Sequence, residues 1–345
     1  MSGEPDGAPE GTAPGAPLVR RTRQDAEQLE RDQLSPVAAR STYSRGRTIP
    51  EAPDPDRTAF ERDRDRILHS KAFRRLKHKT QVFINPDGDH YVTRLTHTLQ
   101  VTQIGRALAT NLRLNEPLAE AICLGHDVGH SPFGHIGEEA LTPYVAGEWH
   151  HAAQSVRVFE VLEPLNLTWE VRDGIRAHSW KIEPPPATQE GMVCRFADRI
   201  AYLTHDVDDA VRAGVIAYAD LPEMPQTVFG EPGRAWIGSM IGAVVDESLR
   251  RGVVAMNPTA LEAMNQLRDF MFERVYLRAE AEEQRLHAIS VIRALTDHYR
   301  THPDEVPDTY RHHGADDVAA AIDYVSGMTD RFALRESQRI ADLAG

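Results

Sequence analysis

Cysteine is scarce. Two thiols, Cys123 and Cys194, occur in 345 residues. That excludes a disulfide-stapled scaffold and a thiolate zinc module, and it fits a reducing cytosol. Long apolar runs are missing as well. No uncharged stretch reaches the roughly 18 apolar residues that a membrane span needs. The first residues lack a basic-then-apolar signal pattern, so a cytoplasmic protein without a membrane partner is expected. Excess positive charge is absent too. Lys plus Arg number 39 against 52 Asp plus Glu, a net charge of −13. A general polyanion-coating protein is thereby disfavoured, and only a local basic site remains. There is no period-2 strand series and no repeat at solenoid spacing. Nor is there a G-x-x-x-x-G-K-[ST] loop or a strand-borne G-x-G-x-x-G. Any phosphate must then be held by side chains or a metal ion.

Histidine is what the chain has in quantity. Of its 16, seven (His90, His97, His126, His130, His135, His150 and His151) fall between residues 90 and 151. An even spread would place about three there, so the clustering asks for a chemical reason. Around it the patterns are helical. Residues 1–17 are rich in Gly and Pro and offer no core, so they are expected to be disordered. Residues 18–57 read as a polar arm lying on the body or on a neighbouring subunit. Together, 1–34 form a disordered or weakly ordered N-terminal arm. Helix is expected over 58–80, 93–112, from Pro117 through Leu124, over 151–163, 170–178 and 192–213, then over 259–300 and 315–343. The fold class is all-α, with a core over 35–225 carrying the site and a C-terminal helical region over 226–345 packed on it.

The sharpest clue is His126-Asp127 at the end of an apolar helix, where a carboxylate is costly unless paired or metal-bound. His97 shares a helix face with Val101, Ile104 and Leu108. Asp198 interrupts an otherwise apolar helix. Two imidazoles and two carboxylates suit a six-coordinate divalent ion such as Mn²⁺, Mg²⁺ or Fe²⁺. An HD dipeptide alone is common by chance; the spaced set of four is not. Glycine-punctuated GHSPFGHIGEE follows at 129–139. His130 lies one helical turn beyond His126, and Glu138 can fold back over the site, which makes both general acid–base candidates. His135 reads as a packing residue or as a support one step behind the reacting groups, and His151 as a helix N-terminal residue with a functional role. The basic segment KAFRRLKHK (71–79) fits a phosphate or DNA contact as well as it fits a solvated face paired with Glu61, Asp63 and Asp65.

These segments resemble a known family. RDRDRILHSKAFRRLKHKTQVF (62–83), TRLTHTLQV (93–101), GHDVGHSPFGHIGE (125–138), ADRIAYLTHD (197–206) and GMTDRFAL (327–334) are similar to bacterial deoxyguanosine triphosphate triphosphohydrolases of the HD-domain superfamily. The resemblance implies an HD-domain helical core with a C-terminal helical extension. It also implies hydrolysis of a deoxynucleoside triphosphate, dGTP favoured, to deoxynucleoside and tripolyphosphate. It places metal ligation on His97, His126, Asp127 and Asp198. The catalytic histidine falls on His130, the carboxylate orienting it on Glu138, and a further active-site histidine on His151. Phosphate contacts fall on Arg94 and Arg199, sugar and phosphate contacts on Tyr202, Asp206 and Gln81, and the nucleoside end on Arg268 and Tyr276. A homo-oligomer, tetramer or hexamer, is implied, with a nucleotide effector or single-stranded DNA as further partners.

Two positions depart from the family pattern. The chain has Ala152 after His150-His151 where Asn often closes the triplet, and Val92 where Arg often stands. Two alternatives stand beside the triphosphohydrolase. One is an HD phosphohydrolase acting on another nucleotide, which the PFGHIGE segment disfavours. The other is a nucleotide- or DNA-binding regulator with the same fold, disfavoured because no ligand position is missing.

Overall fold

The structure, a computed structural model, describes residues 18–81, 92–276, 282–311 and 315–344. Its helices are α1 (Arg23–Gln33), α2 (Ala59–His69), α3 (Lys71–Arg75), α4 (Arg94–Asn111), α5 (Glu116–Gly125), α6 (His135–Leu141), α7 (His151–Arg157) and α8 (Trp169–Arg176). They continue with α9 (Gln189–Arg212), α10 (Glu223–Phe229), α11 (Arg234–Arg251), α12 (Pro258–Met271), α13 (Glu282–Thr301), α14 (Asp317–Ser326) and α15 (Asp330–Ala344). Among the described residues there is no strand, and the isolated bridges Arg47–Thr168 and Thr80–Thr93 are the sole extended pairings. The fold is all-α as expected. No described helix is long and apolar enough to cross a membrane.

α5 is the hub. Asn115 caps it, accepting the Leu118 N–H at 3.2 Å, and Pro117 occupies its first turn, where no amide donor is missed. Leu118, Ile122, Cys123 and Leu124 are buried against α2, α4, α8 and α9. Burying each such aliphatic side chain stabilises by about 1.5–3 kcal/mol. α9 starts at the Thr188 cap and ends before Gly214 at φ +69°, a left-handed position that glycine occupies without strain.

Several helices differ from the sequence expectation. The run 58–80 breaks at Ser70, whose extended backbone ends α2 while its hydroxyl accepts the Phe73 N–H at 3.1 Å to cap α3. The run 315–343 breaks after Gly327. α10 and α11 fall where no helix was expected. Gly238 and Gly242 weaken α11 intrinsically, and the buried stripe Trp236, Met240, Val244 sustains it. The N-terminal arm is ordered over its described part. Thr22 and Asp25 close a capping box at 2.8 and 3.3 Å. From α1, Glu30 accepts the Ser41 amide at 2.8 Å and the Asn115 amide group at 2.9 Å. These satisfied polar contacts hold α1 on the body. Residues 1–17 lie outside the described residues.

Two hydrophobic clusters form the interior. The larger runs from Ala38 to Val275 and includes α10, α11 and α12. The smaller joins Phe133, Ala140, Leu141 and Trp149 to α13, α14 and α15. The clusters do not split the chain at one point, since the smaller draws on Phe133, Ala140, Leu141 and Trp149 as well as on α13–α15. Beyond the boundary expected at 225/226, α11 and α12 still pack in the larger cluster, with α12 against α10 and α9.

Candidate metal centre and active site

Three helices of the larger cluster aim donors at one point. α4 starts at its Thr93 cap, and its first turn carries buried Arg94 and His97. α5 delivers His126 and Asp127 at its C-terminus. α9 supplies Asp198 from its middle. His97 Nε2 lies 3.2 Å from Asp198 Oδ1 and 3.9 Å from Asp127 Oδ2. His126 Nε2 lies 3.4 Å from Asp127 Oδ1 and 3.9 Å from Asp198 Oδ1.

His126 makes the case for an ion. Its Nδ1 stands 2.7 Å from the Cys123 carbonyl. A carbonyl only accepts, so Nδ1 carries a proton, and in the neutral ring Nε2 is bare. That buried Nε2 has no hydrogen-bond partner among the described residues. An outer N–H fixed by a carbonyl and an inner nitrogen left bare is the usual state of a metal-ligating histidine. Two imidazoles and two carboxylates in this geometry fit a divalent cation. The carboxylates are ready for one. Burial works to raise Asp127, but His126, His130 and Arg94 outweigh it and hold the group well below the usual carboxylate range. Burial is likewise opposed at Asp198, which the His97 hydrogen bond and His126 bring down to about 2.

Beyond Asp127 the chain turns sharply. Gly129 admits no side chain, since a Cβ there would stand 2.2 Å from the Ser155 backbone nitrogen. Its amide instead reaches Ser155 Oγ at 2.9 Å, and that hydroxyl donates to the His126 carbonyl at 2.8 Å. α7 is thereby fixed on the His126-Asp127 turn. Phe133 and Gly134 take positive φ, +61° and +59°. A Cβ at Gly134 would come within 2.5 Å of Arg94 Nη2, and Arg94 is needed where it is, donating to Asp127 Oδ2 at 2.8 Å.

Glu138 stands closer to His151 and His135 than to His130, the histidine it was expected to orient. α6 begins at His135, so Glu138 sits one turn in and faces the start of α7. Its Oε1 accepts from His151 Nδ1 at 2.7 Å and from His135 Nδ1 at 3.0 Å. His130 Nδ1 is 3.4 Å from the same oxygen and makes no hydrogen bond among the described residues. The His130 ring stacks on His151 at 3.8 Å between centroids, and its Nε2 faces Asp127 Oδ1 at 3.3 Å. Burial, then Arg94 and His151, holds His130 well below the ordinary histidine value. Burial of Glu138 is overcome by His151 and His135, which keep it ionised. His135 is exposed and hydrogen-bonded to Glu138.

The other expected site residues fall into two groups. Near the metal set, Arg199 lies buried over the Trp180 ring at 4.3 Å and donates to Asn265 at 3.1 Å. Half-buried Tyr202 neighbours it, its phenol pushed up to about 12 by burial. Asp206 accepts the Tyr276 hydroxyl at 2.6 Å, and burial raises its carboxyl to about 7. Gln81 buries an Oε1 that has no partner among the described residues. Farther out, Arg268 pairs with its neighbour Asp269 at 2.6 Å. Of the two departures, Ala152 is buried in α7, and the Val92 amide donates to Asp209 at 3.3 Å.

Three residues escaped the sequence reading. His178, just past α8, presses its Nε2 to within 3.0 Å of His151 Nε2, and burial lowers it to about 3. Lys79 ends the basic segment but points inward, donating to the carbonyls of His130 and of Ser326, the latter at 3.0 Å; burial brings it down to about 7. Asp330 accepts the Phe133 amide at 3.1 Å and the Thr80 amide at 2.9 Å. The only signal available was a lone histidine and two charges next to apolar residues. The suggested acidic partners of segment 71–79 are engaged elsewhere: Glu61 with Arg21, Asp63 with Arg47, Asp65 with Arg57 and Arg64.

Comparison with known proteins now has a geometry to meet. Residues 94–203 match the HD domain and residues 254–339 the phosphohydrolase-associated domain. The chain is 47% identical over 328 residues to a deoxyguanosinetriphosphate triphosphohydrolase-like protein of Caldanaerobacter subterraneus subsp. tengcongensis, covering 93% of this chain and 96% of that one. Proteins of the same description from Desulfatibacillum aliphaticivorans and Clostridium perfringens are 44% and 43% identical, covering 92% and 93% of this chain and 97% of each relative. A crystal structure of a hypothetical protein from Aquifex aeolicus aligns with 79% of this chain and 67% of its own at 21% identity and a TM-score of 0.45. All four converging donors lie inside the HD match, and the relatives align almost end to end, so the chain belongs to the deoxyguanosinetriphosphate triphosphohydrolase-like family.

Proposed function

We propose that this chain hydrolyses deoxynucleoside triphosphates, dGTP foremost, to the deoxynucleoside and tripolyphosphate by attack of water at the α-phosphorus. The observation that carries the reading is the two-sided arrangement about Asp127. One side gathers His97, His126 and Asp198; the other stacks His130 on His151 at 3.8 Å. A divalent cation held by His97, His126, Asp127 and Asp198, Mn²⁺ or Mg²⁺ foremost and Fe²⁺ also suited, supplies Lewis acidity toward the α-phosphate.

The protein side of the reaction is a problem of charge and one proton. Arg94 and Arg199 offer fixed cations to the phosphate oxygens. The bond from the α-phosphorus to the 5′ oxygen breaks, and a nucleoside alkoxide leaves poorly unless protonated. The stacked pair supplies the proton, with His130 the favoured donor and His151 the alternative. Burial, then Arg94 and His151, suppresses the protonation of His130 in the free protein, and the negative charges of a bound triphosphate oppose that suppression. Glu138 orients the pair through His151. Tyr202 and Gln81 wall the sugar and leave a 2′-hydroxyl without room, a steric form of discrimination; Asp206, Arg268 and Tyr276 face the sugar and nucleoside end.

The test is turnover of each deoxynucleoside triphosphate in ¹⁸O-water. Label in tripolyphosphate and none in the nucleoside is the expected result. Label in a nucleoside monophosphate, with pyrophosphate as co-product, overturns the reading.

A further inference from the structure

Arg199 is buried one residue past Asp198 on α9, and its guanidinium is held on two sides. One face lies over the Trp180 ring, 4.3 Å from its centroid. Nη1 donates to Asn265 Oδ1 on α12 at 3.1 Å. Nε, on the remaining edge, has no partner among the described residues. That edge is the one with which a guanidinium meets two oxygens of an anion side by side. A buried cationic donor without an acceptor is costly, and native proteins seldom leave one. The edge therefore marks a place for an anionic ligand.

Both holders are themselves fixed. Trp180 stands in the segment between α8 and α9, outside any helix. Arg195 donates to the Ala177 carbonyl at 2.7 Å and the Ile182 carbonyl at 2.6 Å, closing this segment onto α9. The indole N–H donates to the Arg195 carbonyl at 3.1 Å, and Phe196 meets the ring edge-on at 5.2 Å. A ring so fixed sets the plane of the guanidinium laid on it. Asn265 sets the rotation within that plane. Its helix is anchored by the buried stripe Ala260, Ala263, Met264, Leu267 and Met271. A guanidinium only donates, so Asn265 turns its carbonyl oxygen toward Arg199.

We propose that Trp180 and Asn265 are positioning residues for the triphosphate, holding Arg199 so that its Nε edge meets non-bridging phosphate oxygens. The inference rests on the triphosphate reading of the site and deepens it.

Two observations favour this role over packing alone. The first is charge. Both holders are neutral, so they orient the guanidinium without cancelling its charge, and the whole cation remains available to a ligand. The second is Arg94, which repeats the arrangement from α4. Its Nη1 is taken by Asp127 while its Nε is bare. Two arginines with bare Nε donors beside the metal set suit an anion of several charges. Asn265 lies in the phosphohydrolase-associated match, so that region reaches the phosphates through α12.

The test is binding of inorganic tripolyphosphate to the full chain in excess Mg²⁺, by calorimetry. Trp180→Leu and Asn265→Ala are each expected to raise Kd about tenfold, and Arg199→Lys to do the same. Trp180→Phe keeps an aromatic face and should recover most of the affinity. A lysine is a point charge with no plane to set. In the Arg199→Lys background, Trp180→Leu or Asn265→Ala should therefore weaken binding by no more than about twofold further. Wild-type affinity in both single variants overturns the proposal, as does the full loss repeated on Arg199→Lys, which would mean that the two residues act through packing. Where Trp180→Leu fails to fold, Asn265→Ala decides, since it leaves the apolar stripe of α12 intact. Wild type that binds no tripolyphosphate also overturns the proposal. Wild type that binds it through Arg199, Trp180 and Asn265 yet places ¹⁸O in a nucleoside monophosphate overturns the proposed cleavage and upholds the positioning role.

Discussion

The two sides of the site are held by different physics. His97, His126 and Asp198 ride on α4, α5 and α9, helices packed through apolar side chains of the larger cluster. Each of these side chains is aimed by its own helix, and His126 is also held by the Cys123 carbonyl three residues back. His130, by contrast, sits on a loop whose backbone is held by distant polar groups. Lys79 grips its carbonyl and Asp330 grips the Phe133 amide. The grip reaches on to the C-terminal helices, where Lys79 also holds Ser326 and where Asp323 takes Arg157 and Gln154 from α7. A packed helix face tolerates small losses gradually. A polar clasp is all or nothing, because each broken partner leaves a buried group unsatisfied.

Substitutions on the two sides should therefore fail differently. His126→Ala or Asp198→Ala is expected to abolish turnover and lower metal content together, with melting temperature tracking the lost ion. Full metal occupancy in either variant, by elemental analysis, would remove these residues from the ligand set. His130→Ala is expected to keep metal and nucleotide binding while losing about 10²–10⁴ in kcat, the range for a missing proton donor. A loss confined to KM would assign His130 to binding instead.

The clasp predicts an intermediate effect at residues that touch no reacting atom. Asp330→Asn keeps its shape but turns an amide N–H₂ toward either the Phe133 amide or the Thr80 amide and hydroxyl. Displacing the loop by about 1 Å costs on the order of 10²-fold, so kcat should drop by about that factor, with metal content and KM unchanged. Faster hydrogen exchange at residues 130–134 than in wild type would place the fault in the loop. Unchanged exchange and unchanged kcat would mean that the C-terminal region contributes packing and nothing more.

This contrast also explains what could be read from the sequence. The candidate ligands on helices were legible because a carboxylate or imidazole on an apolar face stands out against the pattern, and α4, α5 and α9 follow that pattern closely. The loop was legible only as composition: the glycines of 129–137 and a carboxylate within reach. Which histidine Glu138 would meet depended on α6 starting at His135, a detail that spacing does not fix. His178 lies outside the histidine-rich stretch and one turn past Gly174, so nothing local set it apart. Lys79 was hidden by its charge, since it ends a basic run that otherwise turns outward. α11 was missed because two glycines mask a stripe that only packing makes helical.

The smallest effect concerns stability on the metal-bearing side. Glu190, in the first turn of α9, accepts the Ala39 amide at 3.0 Å and the Asn115 amide at 2.8 Å on Oε1. Its buried Oε2 has no partner among the described residues. Burial, reinforced by nearby Glu30 against the two amides, raises its carboxyl from 4.5 to about 7. Raised above its unfolded value, the group binds a proton more tightly in the folded state. Its stabilising contribution is fully present below pH 4.5 and is lost as pH rises through 7. At 1.36 kcal/mol per unit the loss is on the order of 1–3 kcal/mol. Glu190→Gln keeps an acceptor for both amides and cannot ionise. Denaturant unfolding in the presence of chelator, which removes the metal linkage, should show wild type losing stability from pH 5 to pH 8 relative to the variant. The two should nearly coincide at pH 5. Equal slopes in the two proteins would mean that Glu190 is ionised in the folded state already at pH 5. The three elements it ties, the arm at Ala39, the α5 cap and α9, would then be held by a charged carboxylate rather than a neutral one.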